Sequence, residues 1–224
     1  EHERLLQAKR KELVDSLSHE MKTPLAVIRA HTEGLRDEQD GGRGEQYLQT
    51  IQDETERMDR LIVALLDLSA LEAGAAQLSP ERFDFVELVE TVGGRLLLDE
   101  PGAQYHLSYQ LPEDKLFVLA DRARLEQVLE NLILNAKRHV VAGGEMRIVV
   151  EHKDKGVRFC VFNEGESIPE QEQQHLWDKF YRGAESKATG GSGLGLAITA
   201  QILRLHSATY DVQNLPGGVT FSFT

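Results

Sequence analysis

The sequence predicts an α + α/β chain. A two-helix antiparallel hairpin, joined by a second copy into a dimeric four-helix bundle, is followed by an α/β sandwich. Three observations carry that expectation. Residues from about 3 to 73 show helical periodicity alone. After "GAAQLSPERF" (74 to 83), helical and alternating segments mix. Towards the end, "GGSGLGLAI" (190 to 198) sets glycines at alternate positions ahead of a helical segment.

The hairpin comes first. Leu6, Leu13, Leu17, Met21, Leu25 and Ile28 recur mostly three, four or seven residues apart, which lays one apolar stripe along a helix. "DEQDGGRGEQ" then interrupts the pattern with glycines. Beyond it, Ile51, Met58 and Leu65 form one heptad series. Tyr47, Leu61 and Leu68 form another, with Glu54 at the position between Tyr47 and Leu61. A short loop between two long amphipathic helices gives an antiparallel hairpin. Such a hairpin cannot cover its own stripe, so a homodimer is expected; packing onto the chain's own second half is the alternative.

The second half begins after the composition shift at 74 to 83. "FDFVELVETVGGRLLL" and "DRARLEQVLENLILNAKRHV" read as helices, and Asp121 is the expected N-cap of the latter. "YHLSYQL", "KLFVLA", "MRIVVEHK", "VRFCVFN", "ATYDVQN" and "GVTFSFT" read as strands, with "KDKG" as a hairpin turn. Helices grouped with mostly antiparallel strands make an α+β layer. The domain division expected is 1–75 and 82–224.

Composition narrows the function. The 224 residues carry a formal net charge of -12, and that field repels a phosphate backbone, so no nucleic acid partner is expected. Cys160 is the single cysteine; it reads as a small buried residue of a strand, in a reducing compartment. No apolar run long enough to span a bilayer is present, so no membrane contact is expected of this piece. The chain opens inside a helical pattern, which predicts a fragment of something longer.

"SLSHEMKTPLAVIRA" (16 to 30) puts a titratable ring on a helix. At about 100° per residue, Leu13, Met21, Leu25 and Ile28 fall within roughly 80° of Leu17, and His19 falls roughly 200° away. Glu20 flanks His19, and Thr23 lies one turn along. Neutral imidazole is a nucleophile, and a neighbouring carboxylate orients it and takes up its proton. An ordinary solvated histidine is the alternative. Pro24 removes one backbone hydrogen bond there and favours a bend.

A second constellation suits a nucleotide. Gly191, Gly193 and Gly195 precede a helix, where backbone N–H groups converge on an anion; a flexible loop is the alternative. The spacing fits neither a P-loop nor a dinucleotide fingerprint. Asn131 and Asn135 lie one turn apart, with Arg138 three residues on. Amide oxygens suit Mg²⁺ beside phosphate oxygens and arginine suits phosphate, against a polar helix edge as the alternative. Asn163 ends a strand before Gly165, where its side-chain oxygen would accept from an adenine amino group. "LWDKFYR" (176 to 182) supplies Trp177, Phe180, Tyr181 and Arg182, as a packing patch or as ligand contacts. The stretch from Arg182 to Gly195 reads as a mobile lid.

In this order, the pieces resemble a sensor histidine kinase of two-component signalling. "SHEMKTP" resembles the H box, "NLILNA" the N box, "VFNEGESIP" the first glycine box, "LWDKFYR" the F box and "GGSGLGL" the second glycine box. The terminal "GGVTFSF" is similar to the family's closing strand, so the resemblance covers nearly the whole chain. It implies a dimerisation and phosphotransfer hairpin followed by a GHKL (Bergerat) ATP-binding domain. His19 is then the phosphoacceptor, Glu20 takes its proton and Thr23 orients water for dephosphorylating the partner. ATP and Mg²⁺ are implied. Asn135 would hold the metal and Arg138 would touch phosphate. Asn131, Asn163, Gly165, Tyr181, Arg182, Gly191, Gly193, Leu194 and Gly195 would border the nucleotide. The implied partners are a second copy through the hairpin and the receiver domain of a response regulator. Two rivals are a nucleotide-regulated interaction module and an ATPase of the same fold.

Three positions depart from the family pattern. Asn163 stands where the family usually has Asp, Ser167 where it has Gly, and His139 where the N box ends in an aromatic. Losing charge assistance at Asn163 is expected to cost on the order of 1 kcal/mol, about tenfold in affinity. In its first glycine box and F box the chain is most similar to the vancomycin-resistance sensor kinases.

Overall fold

The computed structural model describes residues 2–37, 43–74, 77–97, 105–154, 156–183 and 192–224, without the side chains of 2–13 and 37. The centre of the interrupting loop (38–42), part of the junction (75–76), Lys155 of the expected turn and most of the expected lid (184–191) lie outside the described residues.

Two long helices, α1 (His2–Asp37) and α2 (Gly44–Glu72), form the hairpin. Near the loop, His31 meets Tyr47 edge-on, with ring centroids 5.4 Å apart. Pro24 lies inside α1 without ending it and is buried. Of the heptad residues, Leu61 and Leu68 are buried together with Leu71, while Ile51, Met58 and Leu65 are half-buried. Leu25, expected on the inward stripe, is 57% exposed. It lies at the margin of the stripe, about 80° from Leu17. Val14, Leu48, Ile62, Val63 and Leu66 are also exposed, so the pairing of α1 with α2 leaves much apolar surface uncovered.

The second half has two sheets. A short strand, β1 (Glu81–Asp84), pairs antiparallel with β3 (Phe117–Ala120). The main sheet runs β2-β4-β5-β7-β6 and comprises β2 (Tyr105–Gln110), β4 (Gly144–Lys153), β5 (Gly156–Glu164), β6 (Tyr210–Leu215) and β7 (Gly218–Phe223). Only the β2–β4 pair is parallel. Alternation explains the packing. Met146, Ile148 and Val150 of β4 and Val157, Phe159 and Val161 of β5 enter one core with α3 (Phe85–Leu97), α4 (Arg122–His139) and α6 (Gly195–Leu205). This is the sandwich the sequence predicts. A single turn, α5 (Glu170–Gln173), follows β5. Cys160 is half-buried rather than buried, because it alternates with Phe159 and Val161 and points away from that core. Desolvation raises its thiol pKa.

Asp121 caps α4. Its Oδ1 accepts from the Arg124 N–H at 3.0 Å and its Oδ2 from the Ser79 N–H at 2.9 Å. Its own N–H donates to His206 Nε2 at 3.1 Å, and the His206 Nδ1–H then donates to the Ile202 carbonyl at 2.9 Å. One residue thereby joins the segment before β1, α4 and α6.

The end of α2 is docked on this layer. Leu68 and Leu71 share its core. Arg124 Nη1 donates to both Asp67 carboxylate oxygens at 2.8 and 3.0 Å, and Gln127 Nε2 donates to Asp67 Oδ2 at 2.8 Å. Lys179 Nζ donates to Glu72 at 2.6 Å. Among the described residues, no helix is long and apolar enough to cross a membrane.

Candidate nucleotide site

A cavity of about 600 Å³ opens between α4, the loop after β5, the segment 176–183, the start of α6 and β7. Its size suits a nucleotide. Apolar side chains from Ile168, Leu176, Leu196, Val219 and Phe221 line part of it, and polar groups converge from the remaining walls.

Helix α4 supplies one wall. Asn131 and Asn135 are one turn apart, so both reach the cavity, yet they do different things. Asn131 serves structure: its Nδ2 donates to the Gly195 carbonyl at 3.1 Å and to Thr199 Oγ1 at 3.4 Å, tying α4 to α6. The Asn135 amide makes no side-chain hydrogen bond among the described residues, so its oxygen is available to a hard cation. No group of three or more His, Cys, Asp or Glu able to hold a metal occurs among the described residues. A metal here would rest on this amide, phosphate oxygens and water, the donor set that Mg²⁺ favours. Arg138 and His139 continue the wall. Desolvation lowers the Arg138 guanidinium from its ordinary value without discharging it. Desolvation, then the Arg138 charge, lowers His139, which favours a neutral ring.

The end of β5 supplies the deepest polar group. Asn163 is 3% exposed and borders the cavity. Gly165 does not line it. A Cβ there would come within 2.8 Å of the His139 carbonyl, so Gly165 serves the close approach of the loop to α4. Ser167 and Glu166 follow on the rim.

On the opposite side stand Tyr181 and Arg182. Desolvation, then the Glu172 carboxylate, raises the Tyr181 phenol. Trp177 packs on Tyr210 and Phe221, with centroids 4.6 and 5.9 Å away, and is absent from the cavity wall, which makes it a packing residue. Phe180 packs against the core and its N–H donates to the Gly193 carbonyl at 2.9 Å.

Of the glycine stretch, Gly193 and Gly195 line the cavity at the start of α6, where free backbone N–H groups and the helix dipole favour an anion. Gly193 has φ +68, and a Cβ would meet the Phe180 backbone at 2.7 Å. Leu194 is fully buried and belongs to the core instead of the cavity wall. Gly191 lies outside the described residues.

His19 and Thr23 are exposed on α1. Glu20 is partly buried, and its Oε1 lies 3.8 Å from Arg182 Nη1. The cavity rim therefore reaches the residue next to His19. Sequence reasoning missed this contact and the apolar lining, because neither carries a local signal.

Residues 9–74 match the family described as His Kinase A (phospho-acceptor) domain. Residues 120–224 match the Histidine kinase-, DNA gyrase B-, and HSP90-like ATPase family. The chain is 33% identical over 221 residues to the signal transduction histidine-protein kinase BaeS of Escherichia coli, covering 96% of this chain and 46% of BaeS. It is 32% identical over 224 residues to the sensor histidine kinase WalK of Bacillus subtilis, covering 96% of this chain and 36% of WalK. The chain thus spans less than half the length of either relative. Among solved structures, the Acinetobacter baumannii histidine kinase AdeS is 25% identical with a TM-score of 0.74, covering 92% of this chain and 95% of that one. Histidine kinase ThkA, solved with the response regulator protein TrrA, has a TM-score of 0.80 at 24% identity, over 98% of this chain and 62% of that one. At that identity ThkA shares the fold.

Proposed function

The chain belongs to the sensor histidine kinases, and from that premise we propose that it is the catalytic core of one, phosphorylating itself on His19 with ATP. The hairpin, residues 1–75, carries dimerisation and phosphotransfer; residues 82–224 bind ATP. The observation that carries this reading is that Arg182 both borders the nucleotide-sized cavity and approaches Glu20, the neighbour of His19.

In the reaction a ring nitrogen of His19 forms a bond to the γ-phosphorus of ATP. The bond from that phosphorus to the bridging oxygen breaks, ADP departs, and the ring proton passes to Glu20. The Asn163 amide meets the adenine. Arg138, Arg182 and the start of α6 carry the phosphates, near Gly193 and Gly195. Asn135 would hold Mg²⁺, which offsets charge on the triphosphate.

The phosphoryl group then passes to an aspartate on a response regulator receiver domain, and in a separate phosphatase reaction Thr23 positions the water that hydrolyses that aspartyl phosphate to aspartate and inorganic phosphate. The exposed Val14, Leu25, Leu48, Ile62, Val63 and Leu66 support pairing of two hairpins into a four-helix bundle. The likeness to sensor proteins supports a full-length protein anchored in the membrane with this part in the cytoplasm.

Replacing His19 by Gln tests the reading. H19Q is expected to bind ATP as before and to lose acid-labile phosphate in a ³²P-ATP assay. Retained labelling moves the acceptor elsewhere. Rapid ADP release by the unchanged chain without phosphohistidine favours the ATPase.

A further inference from the structure

We infer that this site accepts guanine nucleotides as well as adenine nucleotides, because the group that meets the base is an amide. The inference rests on reading the cavity as the nucleotide site. Asn163 is held by strand pairing on both sides, opposite Met146 of β4 and Val219 of β7. Its backbone is therefore fixed. Its side chain is 3% exposed, borders the cavity and makes no side-chain hydrogen bond among the described residues. A buried amide in that condition keeps both its acceptor and its donors for a ligand.

The hydrogen-bonding edges of the two purines differ. At its six-position adenine offers an amino donor beside a ring-nitrogen acceptor. Guanine offers a carbonyl acceptor beside a ring N–H donor. The carbonyl and NH₂ of one amide match the first pair in one orientation and the second after a half-turn about its terminal bond. Among the described residues, no hydrogen bond holds the Asn163 amide in either orientation. A carboxylate at the same place offers acceptors alone. Facing the six-position group it accepts from the adenine amino group and sets oxygen against the guanine carbonyl, the kind of mismatch by which a polar site rejects an analogue, and having no donor it cannot make the paired contact that the amide makes with either purine. The apolar neighbours Ile168, Leu176, Val219 and Phe221 contact purine faces without regard to those edges.

The test is equilibrium binding of ATP, GTP and ITP with Mg²⁺, by calorimetry, to the unchanged chain and to Asn163→Asp. The unchanged chain is expected to bind GTP and ITP within about tenfold of ATP, and N163D is expected to raise the GTP-to-ATP ratio of Kd by about tenfold or more. Each ratio is taken on one preparation, so a fall in the folded fraction cancels. A second variant, N163A, is expected to weaken both purines without preferring either. A GTP-to-ATP ratio above about a hundredfold in the unchanged chain, or a ratio that N163D leaves unmoved, overturns the inference. ³²P transfer separates it from the kinase reading. Binding of both nucleotides without labelling of His19 keeps the inference and removes the kinase. ATP binding and labelling with GTP excluded removes the inference alone. Failure of both to bind removes both.

Discussion

Arg182 Nη1 lies 3.8 Å from Glu20 Oε1, with the two side chains 15% and 21% exposed, so the rim of the cavity and the base beside His19 share one ion pair. At that length it is an electrostatic contact rather than a hydrogen bond. A triphosphate entering the cavity competes with Glu20 for the positive charge at Arg182 Nη1. Glu20→Gln is therefore expected to act in opposite directions on two measurements. ATP affinity rises about two- to fivefold, the worth of releasing Arg182 from a partly exposed pair. The autophosphorylation rate falls, because the amide accepts no proton from His19. Calorimetric binding and initial-rate labelling check the two arms. An unchanged Kd means that Glu20 and the nucleotide do not compete.

Acid stability is expected to depend on Asp121. Burial pushes its carboxyl upward, but the N–H groups of Ser79 and Arg124 and the charges of His206 and Arg124 outweigh it, so the folded pKa lies below the ordinary 3.8. With the folded value depressed, the unfolded chain takes up the proton first as pH falls. The stabilisation is fully present above the unfolded value and is lost as pH falls through the folded one. Asp121→Asn keeps an acceptor and loses the charge. The gap in urea midpoint between the unchanged chain and D121N is expected to be largest above about pH 5 and to close as the medium is taken below pH ~4. A gap of constant size from neutral pH downward assigns the effect to shape alone.

How much of this was legible in the sequence depends on how local each feature is. The Asp121 cap on α4 spans four consecutive residues, Asp121 to Arg124, and could be read directly. So could β4, whose alternating Met146, Ile148 and Val150 all face the helices. Strand β1 could not. Its four residues become a strand by pairing Phe83 with Val118 across the chain, and nothing in "ERFD" demands it. Leu25 obeys the helical period and is still exposed, because the period gives a direction while a neighbour's reach decides burial. At the site, the glycines and asparagines announced themselves by type. Val219 and Phe221 looked like ordinary strand core. Leu194 and Gly165 fell inside motif-like stretches but serve packing, since a stretch that borders a cavity has members facing away from it.

Gly193 separates backbone geometry from mere flexibility. Its φ of +68 is shared in sign with Gly143 at +77, so alanine incurs the left-handed penalty at both, about 1 kcal/mol of stability. The surroundings differ. Around Gly143 a new Cβ meets nothing within 4 Å, whereas at Gly193 it lies 2.7 Å from the Phe180 Cα and 2.8 Å from the Phe180 carbonyl carbon. Those are backbone atoms, and the Phe180 N–H is bonded to the Gly193 carbonyl, so relief requires moving the segment that carries Tyr181 and Arg182. Gly143→Ala is expected to lower thermal stability and leave ATP affinity unchanged. Gly193→Ala is expected to lower stability further and to weaken ATP binding about tenfold or more, since the start of α6 and Arg182 no longer face the same phosphates. Thermal melts paired with calorimetric titration of both variants check this. Equal ATP affinities in G143A and G193A would place the close approach of Gly193 and Phe180 outside the work of the site.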